Sequence, residues 1–144
     1  MLTSEDEWYK AAYYKNGVYS LYANGTNTAP VAGIDSNYNL AVGHTWDGSV
    51  NGTLEQNGTK DMMGNTWEWN EGLESGSYRG QRGGSVGYVD YYLRASGRVT
   101  DSPTRESYYL GFRVSEVAPV PEPSSIIALA GGLISLIGIR RRRV

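Results

Sequence analysis

The chain of 144 residues contains no cysteine, one histidine and one phenylalanine. Without cysteine, its own residues can form no disulfide, thiol nucleophile, thiolate metal site or thiol redox centre. A single histidine also excludes any site that takes two or three imidazoles from this chain. These absences exclude thiol chemistry and multi-histidine metal sites built from this chain alone.

Clustered positive charge is missing from most of the chain. The net charge is −2, from 13 Lys and Arg against 15 Asp and Glu. Four of the basic residues are Arg140–Arg143, and Glu122 is the single acidic residue beyond position 118, so residues 1–118 carry 9 basic against 14 acidic residues. Nucleic-acid binding depends on clustered cations, so we expect no nucleic-acid partner.

The most apolar stretch of the chain is residues 126–139, which carry no charge. A helix of this length would be roughly 21 Å long, and capping by Ser124 and Ser125 with snorkelling arginines would bring it close to membrane thickness. The basic run Arg140–Arg143 behind it predicts a cytoplasmic C-terminus and an extracytoplasmic acidic body. The sequence therefore predicts a membrane-bound protein with one transmembrane helix in residues 124–144.

The sequence Val-Pro-Glu-Pro at 120–123 immediately precedes this apolar span. Motif, span and basic end together resemble a PEP-CTERM sorting signal, whose residues here are Pro121, Glu122, Pro123, Arg140, Arg141, Arg142 and Arg143. The resemblance implies processing by an exosortase of exopolysaccharide-producing bacteria, and transfer to the cell surface or extracellular matrix. A permanent membrane anchor is the simpler alternative. Because residues 1–7 contain no apolar export signal, we expect that an N-terminal segment is missing from this sequence.

One helix is predicted in the body, over residues 4–14. Ser4 and Glu7 match a capping box, and Trp8, Ala11 and Ala12 form one apolar stripe. The pair Asn16-Gly17 is expected to end this helix. Three consecutive acids at 5–7 fit the positive end of the helix dipole and are given no catalytic role.

From residue 17 to 115 the chain is rich in turns. It has 19 glycines in all, and between Asn-Gly pairs it carries only short β-type runs such as residues 18–22 and 111–114. The 12 Tyr and 4 Trp predict a core whose ring OH and NH groups need hydrogen-bond partners. We therefore expect an α+β domain with little regular secondary structure.

Four motifs occur in order: LTSEDEW at 2–8, GNTWEW at 64–69, RGGS at 82–85 and GFRV at 111–114. Together they resemble the sulfatase-modifying-factor family, whose best-known member is the formylglycine-generating enzyme. The resemblance covers residues 2–114 and begins in the middle of the family domain. It implies a compact α+β fold of C-type-lectin-like architecture with bound calcium. The predicted organisation is a domain at 1–117, a Pro-rich linker at 118–123 and the membrane segment at 124–144.

The resemblance also implies two calcium sites. Their residues here are, for one site, Asp61, Gly64, Thr66 and Glu68 and, for the other, Asn37 and Tyr38. Carboxylate and carbonyl oxygens are the ligands that calcium prefers. Two acids seven residues apart do not specify calcium by themselves, and a cap together with a salt bridge to a nearby arginine is the alternative.

The catalytic residues of the family have no counterpart here. The formylglycine-generating enzyme uses two copper-binding cysteines after its GGS element, where this chain reads VGYVDYYL at 86–93. The family's iron-dependent branch uses several histidines, and this chain has only His44, which is expected to be a surface residue. We therefore expect neither copper nor iron, and expect most of the arginines to be paired structural residues, namely Arg82, Arg94, Arg98, Arg105 and Arg113.

The sequence thus favours an exported, surface-sorted bacterial protein with a non-catalytic domain. Its role would be binding or structural, and its many Tyr and Asn side chains suit a polysaccharide partner. One alternative is a non-heme-iron oxidoreductase whose ligands lie in a missing N-terminal half. Another is a truncated gene product that does not fold independently.

Overall fold

The computed structural model of the protein describes residues 1–116. The predicted linker at 118–123, the predicted transmembrane helix at 124–144 and the sorting-motif residues all lie outside the described residues. Across residues 1–116, no helix is both long enough and apolar enough to cross a membrane.

Helix α1 spans Glu5–Tyr13 and begins with the predicted capping box. The Glu7 N–H donates to the Ser4 hydroxyl at 3.2 Å, and the Ser4 N–H donates to the Glu7 carboxylate at 2.8 Å. The helix ends at Tyr13 with Tyr14 as its C-cap, within one residue of the predicted end. The role predicted for Asn16 and Gly17 was wrong, because these residues, both with positive φ, form the turn between strands β1 (Tyr14–Lys15) and β2 (Val18–Tyr19).

A four-stranded sheet forms the second layer of the domain. Its strands are β3 (Trp67–Ser75), β4 (Tyr78–Arg82), β5 (Val99–Asp101) and β6 (Leu110–Phe112). They lie in the order β5-β4-β3-β6, and β6 runs parallel to β3 while the other pairs are antiparallel. A 3-10 helix at Asp90–Leu93 follows the RGGS motif. The predicted α+β class, with one helix and little regular structure in residues 1–116, is confirmed.

The two faces of this sheet have different surroundings. One face lies against α1, because Glu68 accepts a hydrogen bond from the Trp8 indole and Asn70 donates to Glu5. Side chains alternate along a strand, so the neighbouring residues point the other way. We call this second surface the outer face, and the cross-strand register assigns to it Trp67, Trp69, Arg79, Gln81, Val99, Asp101, Leu110 and Phe112.

The core lies between α1 and the long loops, and its aromatic residues use their polar atoms as predicted. It is formed by Trp8, Ala12, Tyr13, Tyr22, Ala23, Tyr38, Met62, Met63 and Leu93. The Tyr13 hydroxyl donates to the Leu93 carbonyl at 2.9 Å, and the Tyr38 hydroxyl donates to the Pro30 carbonyl at 2.7 Å. These bonds tie distant loops together where regular secondary structure is absent.

Candidate functional site: the 61–68 loop and the aromatic cluster

The loop before β3 has a conformation that few sequences allow. Asp61, Gly64 and Asn65 all have positive φ, at 56°, 75° and 62°. A Cβ at Gly64 would lie only 2.5 Å from the Asn37 carbonyl oxygen, so a larger residue cannot be accommodated without movement. The Asn65 N–H donates to that same carbonyl at 2.7 Å. The loop therefore lies directly against residue 37, and the two predicted calcium sites are neighbours.

An open cavity of about 370 Å³ lies beside this loop. Of the six predicted calcium ligands, Asp61, Thr66 and Glu68 line it, while Gly64, Asn37 and Tyr38 do not. The other lining residues are Gly48, Lys60, Asn65, Phe112 and Arg113. The structure thus brings both predicted carboxylates of the first site to one cavity.

Both carboxylates already have hydrogen-bond donors. Asp61 accepts from the Trp46 indole at 3.0 Å and from the Asn65 amide at 3.2 Å. Oε2 of Glu68 accepts from Trp8 Nε1 at 2.6 Å and forms a salt bridge with Arg113 Nε at 2.7 Å. Burial raises the pKa of both carboxyls, and the donors only partly oppose this rise.

Three of the predicted calcium ligands keep oxygens that accept no hydrogen bond in the contacts of residues 1–116. Oε1 of Glu68 accepts no hydrogen bond within residues 1–116, because both donors to this carboxylate reach Oε2. The Gly64 and Thr66 carbonyls are likewise not acceptors in the turn, loop and side-chain hydrogen bonds of residues 1–116. Within the same residues there is no group of three or more His, Cys, Asp or Glu that could hold a metal ion. A cation here would therefore depend on carbonyl and amide oxygens besides two carboxylates.

The second predicted calcium site is only partly compatible with the structure. Asn37 is fully buried, and its Oδ1 has no hydrogen-bond partner within the described part of the chain, which is a free oxygen ligand in a buried position. Tyr38 differs, because its hydroxyl donates to Pro30 and its carbonyl accepts from the Ala41 N–H at 3.1 Å. Asn37 fits a cation better than Tyr38 does.

The predicted arginine pairs are confirmed. Arg82 and Arg98 both contact Glu5, and Arg98 also contacts Glu74. The other three pairs are Asp90–Arg94, Asp101–Arg105 and Glu68–Arg113. Glu68 therefore makes the salt bridge of the alternative interpretation and keeps one oxygen free. His44 is exposed, as expected.

An aromatic cluster joins Trp67 of β3 to residues 86–93, the segment in which the family resemblance predicts cysteines. The ring centroids of Trp67 and Tyr88 are 5.1 Å apart, those of Trp67 and Tyr92 are 5.6 Å apart, and those of Tyr88 and Tyr92 are 5.1 Å apart. All three contacts are edge-to-face, the geometry that aromatic pairs prefer. Residues 86–93 thus contribute phenol rings and no thiol.

Sequence reasoning missed Asn65, which organises the 61–66 loop. Its amide oxygen accepts from Asn37 Nδ2 at 3.2 Å and from the Trp46 N–H at 2.9 Å, while its amide nitrogen donates to Asp61. The signal available in the sequence was its place after Gly64 in the GNTWEW motif, since asparagine tolerates positive φ. Trp46 was also missed, because nothing in the sequence links it to Asp61.

Comparison with known proteins gives the family of this domain. The family model of the sulfatase-modifying factor enzyme 1-like domain matches residues 1–118. The chain belongs to this family. A model of the PEP-CTERM protein-sorting motif matches residues 119–143 of this sulfatase-modifying-factor protein. Both resemblances are thereby confirmed, and together they support an exported, surface-sorted protein.

A solved structure with a related fold is that of Treponema denticola variable protein 1. It is 28% identical to this sulfatase-modifying-factor protein with a TM-score of 0.64, over 78% of this chain and 45% of that one. The chain thus spans less than half the length of that relative. No curated protein matches the chain significantly.

Proposed function

We propose that the chain is an exported, surface-sorted protein whose sulfatase-modifying-factor domain binds a partner and does not catalyse formylglycine formation. The observation that carries the proposal is the packing of Tyr88 and Tyr92 on Trp67, because both tyrosines lie in residues 86–93, where the family resemblance predicts the cysteines of the formylglycine-generating enzyme. Phenol side chains offer neither the soft thiolate ligand that copper requires nor a thiol for substrate exchange. What the segment does offer is aromatic surface for binding.

The test of this proposal is a direct assay for aldehyde formation. The purified chain is incubated with a cysteine-containing sulfatase peptide, oxygen and copper, and the peptide mass is followed. We expect no conversion of thiol to aldehyde, and no copper or iron retained after dialysis. Production of aldehyde, or stoichiometric retention of either metal, would contradict the proposal. The iron-dependent alternative would need ligands beyond residues 1–116, and no observation within them favours it.

Calcium is the cofactor that the 61–68 loop supports best, and we propose that it stabilises this loop. Asp61 and Glu68 would provide carboxylate oxygens, and Gly64 and Thr66 would provide carbonyls. The support is the cavity that Asp61, Thr66 and Glu68 share, the free Oε1 of Glu68 and the cost of burying two carboxylates, which a divalent cation would offset. The unpaired Oδ1 of Asn37 supports a second cation on the adjoining segment.

Thermal unfolding with calcium and with a chelator tests this cofactor. At a calcium concentration about 100-fold above Kd, binding to the folded state adds about 2.7 kcal/mol, a rise of roughly 10 °C in Tm for a domain of this size. The variant Asp61→Ala should lose most of this rise. The control Glu106→Gln, which changes an exposed carboxylate outside the cavity, should keep it. Equal melting temperatures in calcium and chelator would rule out the assignment.

The sorting function is proposed to depend on Glu122. In a host that carries an exosortase, Glu122→Ala should leave the protein in the membrane fraction, with its body outside the cytoplasm and its C-terminal tail uncleaved. The matched control is Glu116→Ala, six residues upstream and outside the sorting-motif match. Normal processing of the Glu122→Ala protein would show that the span is a permanent anchor.

A further inference from the structure

The outer face of the sheet contains a small cavity whose lining residues are all different from those of the cavity beside the 61–68 loop. Its volume is about 170 Å³, and β3, β4, β5 and β6 all contribute to it. Trp67, Tyr88 and Tyr109 form part of its wall, and of these Trp67 is 1% exposed and Tyr88 37%. Its other lining residues are Gln81, Val99, Thr100, Asp101, Arg105 and Leu110.

Gln81 is the unusual member of this cavity. Its side chain is almost completely buried, with 3% exposure, yet its Nε2 group has no hydrogen-bond partner within residues 1–116. A buried amide donor without a partner is unfavourable, and folded proteins almost always supply one. By contrast, Nε2 of Gln56 donates to the Ala12 carbonyl at 2.9 Å and to the Ser20 hydroxyl at 3.0 Å. The unused donor of Gln81 points to a ligand oxygen.

The charges at the cavity favour an uncharged ligand. Asp101 and Arg105 form a salt bridge of 2.9 Å, so their charges balance each other. Arg105 also donates to the Tyr109 hydroxyl at 3.1 Å. A charged ligand would have to compete with this pair, whereas hydroxyl groups can donate to Asp101 and accept from Arg105 without breaking it.

The size of the cavity admits one ring. At about 30 Å³ per water molecule it holds the equivalent of about six waters, well below the ~300 Å³ at which pockets for drug-sized ligands begin. We propose that it binds one pyranose ring of a neutral polysaccharide, whose C–H face packs on the aromatic wall while a hydroxyl oxygen accepts from Gln81. This inference rests on the proposed binding function and names its ligand class.

A second cavity lies further along the same strands and offers space for more rings of a polymer. It measures about 570 Å³ and is lined by Trp69, Arg79 and Phe112, together with Leu2, Asn70, Glu71 and Pro103. Trp69 and Phe112 lie two residues beyond Trp67 and Leu110 on the same strands, a distance of about 6.7 Å. Phe112 is 69% exposed there. The two cavities thus lie about one sugar ring apart along β3 and β6, as the polymer of this proposal requires.

The test is a titration of the full chain with neutral hexasaccharides of glucose, mannose and galactose. Binding is measured by calorimetry and by tryptophan fluorescence, which Trp67 and Trp69 should report. We expect at least one hexasaccharide to bind. Gln81→Met keeps the side-chain volume and removes the donor, so affinity should fall about 5- to 10-fold while Tm does not fall. The control Gln56→Met removes a donor that is already bonded, so Tm should fall and affinity should stay unchanged.

The outcomes separate this inference from the proposed function. No binding by any neutral hexasaccharide, or binding only by oligogalacturonate or by a random peptide mixture, overturns the ligand class. Unchanged affinity in Gln81→Met overturns the assignment of the site. Neither result affects the aldehyde and sorting assays, which test the non-catalytic, surface-sorted function independently.

Discussion

Arg82 is the residue whose removal should most clearly reveal how this domain is held together. Its Nε donates to the Glu5 carboxylate at 2.8 Å, and Nη2 contacts the same carboxylate. Nη1 donates to the carbonyls of Ala95 and Gly97 at 2.9 and 2.8 Å. One side chain thus joins β4, α1 and the loop before β5, three parts that little regular structure connects.

The expected cost of Arg82→Met follows from burial. The Arg82 side chain is 8% exposed and that of Glu5 is 22% exposed, so most of the ion pair is removed from water. Removing one partner of a buried pair costs about 3–5 kcal/mol, because the other charge is left uncompensated. Glu5 retains Asn70 and, at 3.6 Å, Arg98, which lowers this figure. The two orphaned carbonyls raise it again, so we expect about 3–4 kcal/mol.

Urea unfolding followed by tryptophan fluorescence measures this loss. The matched control is Arg105→Met, which breaks a pair whose side chains are 50% and 25% exposed and should cost less than about 1 kcal/mol. A double-mutant cycle with Glu5→Gln isolates the pair itself. If Arg82→Met were no more destabilising than Arg105→Met, the assignment of Arg82 as the main tie between helix and sheet would be wrong.

Two further predictions concern the loop and the pH dependence of stability. Gly64→Ala should cost several kcal/mol by urea unfolding, because its Cβ would overlap Asn37, whereas Gly58→Ala, also at positive φ but with nothing within 4 Å, should cost only about 1 kcal/mol. Equal costs would contradict the proposed contact. Burial raises the pKa of Glu55 to about 7 from its ordinary 4.5, so the folded state holds this proton more tightly than the unfolded state. The contribution of Glu55 to the free energy of unfolding should therefore be greatest below pH 4.5. It should fall by about 3 kcal/mol as the pH rises to 7. Glu55→Gln should remove that slope in urea unfolding at a series of pH values, and an unchanged slope would refute the assignment.

Local signals in the sequence predicted the local structure well. The capping box at Ser4 and Glu7 correctly predicted where α1 begins. The cap residue, the acidic first turn and the start of the apolar stripe all indicate the same N-terminus. The role of Asn16-Gly17 was misassigned because this pair suits both a helix terminus and a hairpin turn, and only pairing of Tyr14 with Tyr19 decides between them. The family resemblance located the loop at 61–68 from its motif, without showing which of its atoms would already be bonded.

Long-range pairings could not be predicted. The acids at 5–7 were interpreted as dipole partners of their own helix, yet Glu5 reaches Arg82, 77 residues away. A glycine-rich segment lies between Trp46 and Asp61, and no sequence pattern predicts how it folds. The hydrogen bond between these two residues could therefore not be predicted. The outer face was equally hidden, since it exists only once β6 lies parallel beside β3. In a fold with few regular elements, such contacts depend on loop paths that propensity does not determine.

The domain can keep the fold of its family while its side chains differ, because backbone atoms make part of the bonds that hold residues 86–93. Residues 86–93 are attached to the rest of the domain through side chains, with Leu93 in the core and Asp90 accepting from Tyr22, and also through backbone bonds. The Val86 N–H donates to the Asn65 carbonyl at 3.1 Å, and the carbonyls of Val86 and Tyr88 accept from the Leu40 and Asn39 N–H groups, each at 2.8 Å. These bonds do not depend on which side chains the segment presents. Exposed side chains of this segment such as Tyr88 can therefore change without breaking the backbone bonds to Asn65, Leu40 and Asn39.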